Sequence, residues 1–301
     1  MASTTVISIC IFSYNYEQYI AEAIESALSQ QMNVPFEIVI GDDLSTDSTR
    51  DIILQYKEKY PYLIKLSFNE KNLGGTYNWV NTINQCKGKY IALMDGDDYF
   101  SRVDKCQRQY DLLEADSKAV LSFHAIEEKY DDVEGMDEIV RFEKKNYTIE
   151  DFLSRGWFIR TSSTFFRNHI LPENPPEWVY NFPYRYDTIM HVFLGSAGHA
   201  LYIDEPMSIW RKHMKGMSLK LRENISKNIL TEIAMAKELD LYTKGRYSNL
   251  VNKYISGLYS GHFFYLLKKG VKVSEISLFL KSVLKMDKLK SMRRLKNNLV
   301  K

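Results

Sequence analysis

Within its first hundred residues the chain repeats one unit, a short apolar run followed by a longer stretch of helical periodicity, and this repetition restricts the fold more than any other feature. Val6–Phe12 is continuously apolar, and in Glu17–Gln30 the residues Ile20, Ala23, Ile24, Ala27 and Leu28 recur at helical spacing, with Asn15 as the expected cap. Phe36–Ile40 is a second strand, and Ser45-Thr46-Asp47 opens a helix through Ile52, Ile53 and Tyr56 that stops before Pro61. Leu63–Phe68 and Lys89–Met94 are the third and fourth strands, separated by a helix from Gly74 to Cys86. Runs that are apolar without alternation are buried on both faces, so strand–helix–strand repetition of this kind predicts a parallel sheet with helices on either side.

Beyond Arg102 the pattern predicts a helix to Glu114, a strand near Val120–Phe123, and a polar stretch of loop and edge strand from Glu127 to Asn146. Near Leu221 the alternation gives way to long helical periodicity. The expected organisation is therefore an α/β domain over 1–220 and a helical, basic extension over 221–301, and a length of 301 residues accommodates both. With 45% apolar and 26% charged residues the chain has the composition of a folded protein. No apolar run is long enough to span a bilayer, and Met1 to Phe12 lacks the basic start of a secretory signal, so a cytoplasmic location is expected. Cys10, Cys86 and Cys106 are odd in number and lack metal-ligand spacing, which suits a reducing compartment and small buried apolar roles.

Parallel sheets of this kind bind ligands at the carboxyl ends of their strands. Those ends carry Ser13-Tyr14-Asn15, Asp42-Asp43 and Asp95-Gly96-Asp97-Asp98. Asp95, Asp97 and Asp98 crowd three carboxylates into four residues, a density that repulsion disfavours unless a cation or water screens it. Mg²⁺ or Mn²⁺ takes oxygen ligands and often only one or two protein carboxylates, leaving positions for phosphate oxygens, so the spacing suits a metal–diphosphate site. The alternative is a solvated acidic turn capping the next helix. Asp42 or Asp43 can likewise cap a helix or accept the imide N–H of a uracil ring, and Tyr14 is placed to stack on the same base.

Together these blocks resemble the GT-A-fold glycosyltransferases of family 2, inverting enzymes that use nucleotide-activated sugars. The resembling residues are Ile9–Asn15 with Ala23–Gln30, Phe36–Asp47, Asn72-Leu73-Gly74-Gly75 and Gly88–Asp98, four blocks in the family's order over the first hundred residues. The resemblance implies that Phe12, Tyr14 and Asp43 contact the nucleotide base. It also implies that Asp95 and Asp97 contact sugar, ribose or metal, with Asp98 sharing the metal. Thr76-Tyr77-Asn78 stands where many relatives have Ala-Arg-Asn, which removes one expected donor contact. Because the Gln-x-x-Arg-Trp motif of processive synthases is absent, a single addition is expected.

Inverting transfer needs a base on the face opposite the leaving diphosphate. In relatives it is an acid at a helix start after an aromatic segment, which implies Asp187 in Tyr184-Arg185-Tyr186-Asp187-Thr188, whose alternative role is a helix cap. Ser208–His213 with Gly216-Met217-Ser218 resembles the family's Arg-x-His…Ser segment, implying that Arg211 binds phosphate and that His213 ligates the metal or donates to a phosphate oxygen. Arg160–Thr164 is expected to line the acceptor pocket.

The implied reaction moves a hexosyl or N-acetylhexosaminyl group from a nucleotide sugar, with UDP favoured, to a hydroxyl of a glycan or lipid-linked saccharide. A non-catalytic nucleotide- or glycan-binding module with the same fold is the rival. Pyrophosphorylase, dehydrogenase and P-loop readings fail, because Phe12–Tyr19 holds no glycine and neither GxGxxG nor GxxxxGK[ST] occurs. Residues 262–301 carry eleven Lys/Arg against Glu275 and Asp287, with Phe263, Leu266, Ile276, Phe279 and Leu284 interspersed. This region is expected either to lie on anionic lipid at the inner face of the membrane or to pack as a helical hairpin on the first domain. No nucleic-acid recognition module accompanies these charges, so no nucleic-acid partner is expected.

Overall fold

The structure is a computed structural model that describes residues 4–131, 136–213, 216 and 225–271. Its centre is an eight-stranded sheet in the order β3-β2-β1-β4-β10-β6-β11-β9. The strands are β1 (Ile7–Ser13), β2 (Phe36–Asp42), β3 (Ile64–Phe68), β4 (Tyr90–Asp95), β6 (Ala119–His124), β9 (Asn146–Tyr147), β10 (Phe165–Arg167) and β11 (His199–Ile203). The first four pair in parallel, as the repeat predicts. β10 enters antiparallel between β4 and β6, a reversal that its three residues did not announce. A second sheet, β5 (Tyr99–Phe100), β12 (Ser208–Lys212), β7 (Ile126–Tyr130) and β8 (Glu138–Val140), stands beside the carboxyl ends of the first. The polar stretch after residue 126 thus resolves into one interior strand, β7, and two edge strands, β8 and β9.

Alternation along β1 shows why its run is apolar except at Ser8, whose buried hydroxyl donates to Glu37, and at the terminal Ser13. Ile7, Ile9 and Ile11 face one layer, packing with Ile20, Ala23, Ile24 and Ala27 of α1 (Ile20–Leu28) and with Ile53 of α2 (Thr49–Lys59). Cys10 and Phe12 face the other, with Val80 and Ile83 of α3 (Gly75–Gln85). Burial on both sides contributes ~1.5–3 kcal/mol for each large aliphatic side chain and makes β1 the spine of the domain. α4 (Lys105–Ala115) covers the first layer, while α5 (Ile149–Arg155) and α6 (Tyr186–Gly195) lie on the second.

Two further helices, Ile225–Tyr242 and Ser248–Lys268, form an antiparallel hairpin. Ile233, Met235, Ala236, Leu239, Val251 and Ile255 of this hairpin belong to the same hydrophobic cluster as Phe12 and Val80. Up to residue 271, therefore, the helical extension is packed into the core of the first domain. Residues 272–301, which hold most of the basic region, lie outside the described residues. No helix among the described residues is long and apolar enough to cross a membrane. The three cysteines are free and buried.

Candidate active site

The site begins with the loops that leave β1 and β2. Asn15 does not cap α1, which starts only at Ile20; its backbone is left-handed at φ 58° and its side chain serves the neighbouring loop. Thr46 N–H donates to Asn15 Oδ1 (2.8 Å) and Asn15 N–H donates to Ser45 Oγ (2.9 Å). Tyr16 N–H donates to Thr49 Oγ1 (2.8 Å), and Ser48 N–H donates to Glu17 Oε2 (3.0 Å). Asparagine suits both a cap and a left-handed turn, and here the turn wins because it joins the two strand ends.

Tyr14 projects from this rim with 44% of its surface exposed. Phe12 does not reach the rim: its ring is in the core, stacked 4.2 Å from Trp79, and its carbonyl accepts Gly96 N–H at 2.7 Å. Asp42 is buried in an ion pair with Arg50. Asp43 accepts Leu73 N–H (2.8 Å) and Gly74 N–H (2.7 Å), so it organises the turn into α3. In the divergent triplet that follows, Thr76 donates to the Phe182 carbonyl (3.0 Å) and Tyr77 stacks on Tyr180 (4.2 Å).

At the end of β4 the carboxylates separate in function. Asp97 Oδ2 lies 3.1 Å from His213 Nε2 and accepts the Tyr16 hydroxyl. Asp98 is turned inward, 1% exposed, with Oδ1 accepting Arg211 N–H at 3.0 Å. Burial, then the charges of Asp97 and Asp95, push Asp98 well above the usual carboxylate range against the pull of that bond and of the Ser162 hydroxyl. Asp95 rises to about 8 for the same reasons, burial first, then Asp97 and more weakly Asp187, opposed by a Thr161 hydroxyl bond. Burial, reinforced by the three acids, holds the Tyr16 hydroxyl protonated as a donor.

A divalent cation would relieve this crowding, and the donor set suits a hard or borderline ion. The expected trio of Asp97, Asp98 and His213 does not converge on one point, however. Among the described residues no group of three His, Cys, Asp or Glu side chains is arranged to hold an ion. Engagement of Asp98 by the β12 backbone is the physical reason. The residues present fit a two-ligand site, Asp97 with His213, whose other positions would fall to diphosphate and water.

Arg211 is buried behind this pair, donating from Nη2 to Glu22 (2.6 Å) and lying 3.4 Å from Asp131. Burial would lower its proton affinity, but Glu22 and Asp131 outweigh it. Met217 and Ser218 of the segment implied to close over the diphosphate lie outside the described residues.

Asp187 sits in the first turn of α6, where Arg185 holds the cap position, and its Oδ1 accepts Thr188 N–H at 2.7 Å. Burial raises its carboxyl to about 6, opposed by that bond, by the Arg185 charge and by the Trp157 indole N–H. Its charge reaches Asp95, so the start of α6 lies within electrostatic range of the end of β4. Arg160 carries Trp157 and Trp210 at 4.2 and 4.4 Å from its guanidinium and pairs with Glu128 at 2.7 Å, so it builds the wall beside Asp187. Trp157, Tyr16 and Glu22 were not anticipated from sequence; Trp157 and Tyr16 were detectable only as aromatics adjoining predicted site segments.

The profile of glycosyl transferase family 2 matches residues 8–171. An uncharacterized protein of Mycobacterium tuberculosis is 30% identical over 211 residues, 70% of this chain and 60% of that one, so the chain spans only about three fifths of that relative. The crystal structure of residues 1–349 of Staphylococcus aureus TarS in complex with UDP-GlcNAc superposes with a TM-score of 0.64 at 16% identity, covering 90% of this chain and 77% of that one. A Pyrobaculum calidifontis mannosyltransferase in complex with GDP-Man and Mn²⁺ gives 0.54 at 13% identity, covering 95% and 81%. Strand order, acid-lined rim and family match agree: the chain belongs to glycosyl transferase family 2 and has the GT-A fold.

Proposed function

We propose that the chain is an inverting glycosyltransferase that moves a sugar from a nucleotide sugar, with a UDP-sugar favoured, to a hydroxyl of a glycan or lipid-linked saccharide. The observation that supports this reading is that Asp187, whose carboxyl burial raises to about 6, lies within electrostatic reach of Asp95 on the acid-lined rim. A carboxyl of that strength is ionised near neutral pH and is a stronger base than an ordinary aspartate. UDP and an N-acetylhexosamine are the first candidates because the TarS structure holds UDP-GlcNAc.

In this scheme the acceptor oxygen forms its bond to the anomeric carbon as the carbon–oxygen bond to the diphosphate breaks, and the bonding pair leaves with the nucleoside diphosphate. Asp187 takes the acceptor proton, and configuration inverts because attack and departure are on opposite faces. Tyr14 flanks the base and Asp43 fixes the turn beneath it. Asp95 meets the sugar or ribose, and Arg211 adds positive charge behind the leaving group. Mn²⁺ or Mg²⁺, held by Asp97 and His213, would supply charge neutralisation to the diphosphate when bound. The basic region up to residue 301 would bring the enzyme to the cytoplasmic face of a membrane carrying the acceptor.

The test is a panel of nucleotide sugars incubated with the full chain and Mn²⁺ or Mg²⁺, with release of nucleotide and product anomeric configuration followed by NMR. One or more donors turned over with inversion is expected. Nucleotide binding that ignores metal, with no donor consumed, would favour a non-catalytic binding module.

A further inference from the structure

The helical hairpin reaches the active site through two polar side chains. Glu232, on its first helix, pairs with Arg185 at 3.8 Å, and the two side chains are only 18% and 13% exposed. Arg185 holds the cap position of α6, two residues before Asp187, and follows Tyr184, whose backbone is left-handed at φ 65°. Tyr254, on the second hairpin helix, donates its hydroxyl to Glu232. That hydroxyl occupies the space a side chain at Gly156 would need: a Cβ there would lie 2.1 Å from it and 3.0 Å from Glu232 Oε1. Gly156 ends α5 at φ 65°, a conformation glycine adopts without strain, and leads directly into Trp157, whose indole N–H helps hold down the Asp187 pKa.

One carboxylate therefore joins two segments far apart in the chain. It pairs with Arg185 at the turn that carries Asp187, and the Tyr254 hydroxyl bonded to it packs against the turn that carries Trp157. Both turns contain a left-handed residue, so neither position follows from regular secondary structure, and at Tyr184 that conformation is one a side-chain-bearing residue seldom adopts. A largely buried arginine that lost its carboxylate would seek another, and Asp187, two residues on, already feels its charge.

We propose that Glu232 and Tyr254 are positioning residues for sugar transfer, and that the hairpin thereby forms part of the acceptor side of the active site. The inference rests on Asp187 being the base. The variants Glu232→Ala, Glu232→Gln and Tyr254→Phe test it in the full chain, with thermal melting as the control for folding. Displacement of a reacting group by about an ångström costs roughly a hundredfold, so a fall in kcat of about ten- to a hundredfold is expected for Glu232→Ala, with donor KM within about twofold. Glu232→Gln, which still accepts from Tyr254, should fall between Glu232→Ala and wild type. Loss of stability alone would not give this split at temperatures where all the variants are folded.

A second readout does not depend on activity. The chain has four tryptophans, and 5-fluorotryptophan labelling, with Trp157→Phe as the assignment, isolates the Trp157 resonance in fluorine NMR. That resonance is expected to shift or broaden in Glu232→Ala and Tyr254→Phe. Unchanged kcat, or an unmoved Trp157 resonance, would overturn the inference. If the wild type consumed no donor, the transferase reading would fail by itself, and the resonance alone would decide whether the hairpin holds Trp157.

Discussion

Replacing Asp187 by asparagine separates two consequences of one environment. Burial moves this carboxyl from its ordinary 3.8 to about 6. A rise of about two units is worth ~3 kcal/mol, and partial exposure to the cleft screens this to ~1–3 kcal/mol. The folded carboxyl holds its proton more tightly than the unfolded one. The stability so gained is fully present below about pH 4 and is lost as pH rises through about 6. Asparagine carries no such dependence and keeps an oxygen for Thr188 N–H and the Trp157 indole. Urea denaturation should find Asp187→Asn more stable than wild type by ~1–3 kcal/mol at about pH 7.5, with the difference gone near pH 4. In the transfer assay the same variant should lose ~10²–10⁴ in kcat. A variant that is less stable than wild type at the higher pH, or that retains transfer within about threefold, would refute this reasoning.

Asp97→Asn and His213→Ala should each weaken Mn²⁺-dependent UDP binding by about tenfold or more in calorimetry; equal wild-type affinity with and without Mn²⁺ would count against the two-ligand site. Lys105 is fully buried, its Nζ has no hydrogen-bond partner among the described residues, and burial pulls it down to about 8, with the Phe100 ring 4.0 Å away. The folded lysine binds its proton less tightly than the unfolded one, so the cost is full below about pH 8 and fades toward pH 10. Lys105→Met should therefore add ~1–3 kcal/mol of stability at about pH 7, a gain that calorimetric melting at the two pH values would reveal or refute. In flotation with anionic vesicles, the full chain should bind and residues 1–271, which keep the hairpin, should not; equal flotation would remove the membrane role of the basic region.

What was legible in the sequence follows from how locally each feature is encoded. Val6–Phe12 reads as a central strand because burial on both faces leaves a continuous apolar run, and the acids at the ends of β2 and β4 are legible because a parallel sheet gathers strand ends on one rim. Asn15 was misread because a helix cap and a left-handed turn favour the same residue, and only the nearness of Ser45 and Thr46 decides between them. The expected metal trio overcounts because the backbone of β12, more than a hundred residues on, claims Asp98. Trp157, Glu232 and Tyr254 carry no local signature: an exposed aromatic, a helix glutamate and a helix tyrosine acquire meaning only where α5, α6 and the hairpin meet.

The antiparallel insertion of β10 has a consequence for synthesis on the ribosome. The parallel half of the sheet is complete once Asp95 has emerged, yet one flank of β4 has no neighbour until Phe165–Arg167 arrives. At ~5–20 residues per second that flank stays bare for roughly 4–14 seconds, with Ile91 and Leu93 only partly covered, since much of their cluster, from Val120 onward, comes from later segments. A nascent chain stalled in this interval is the species that chaperones would have to shield from self-association.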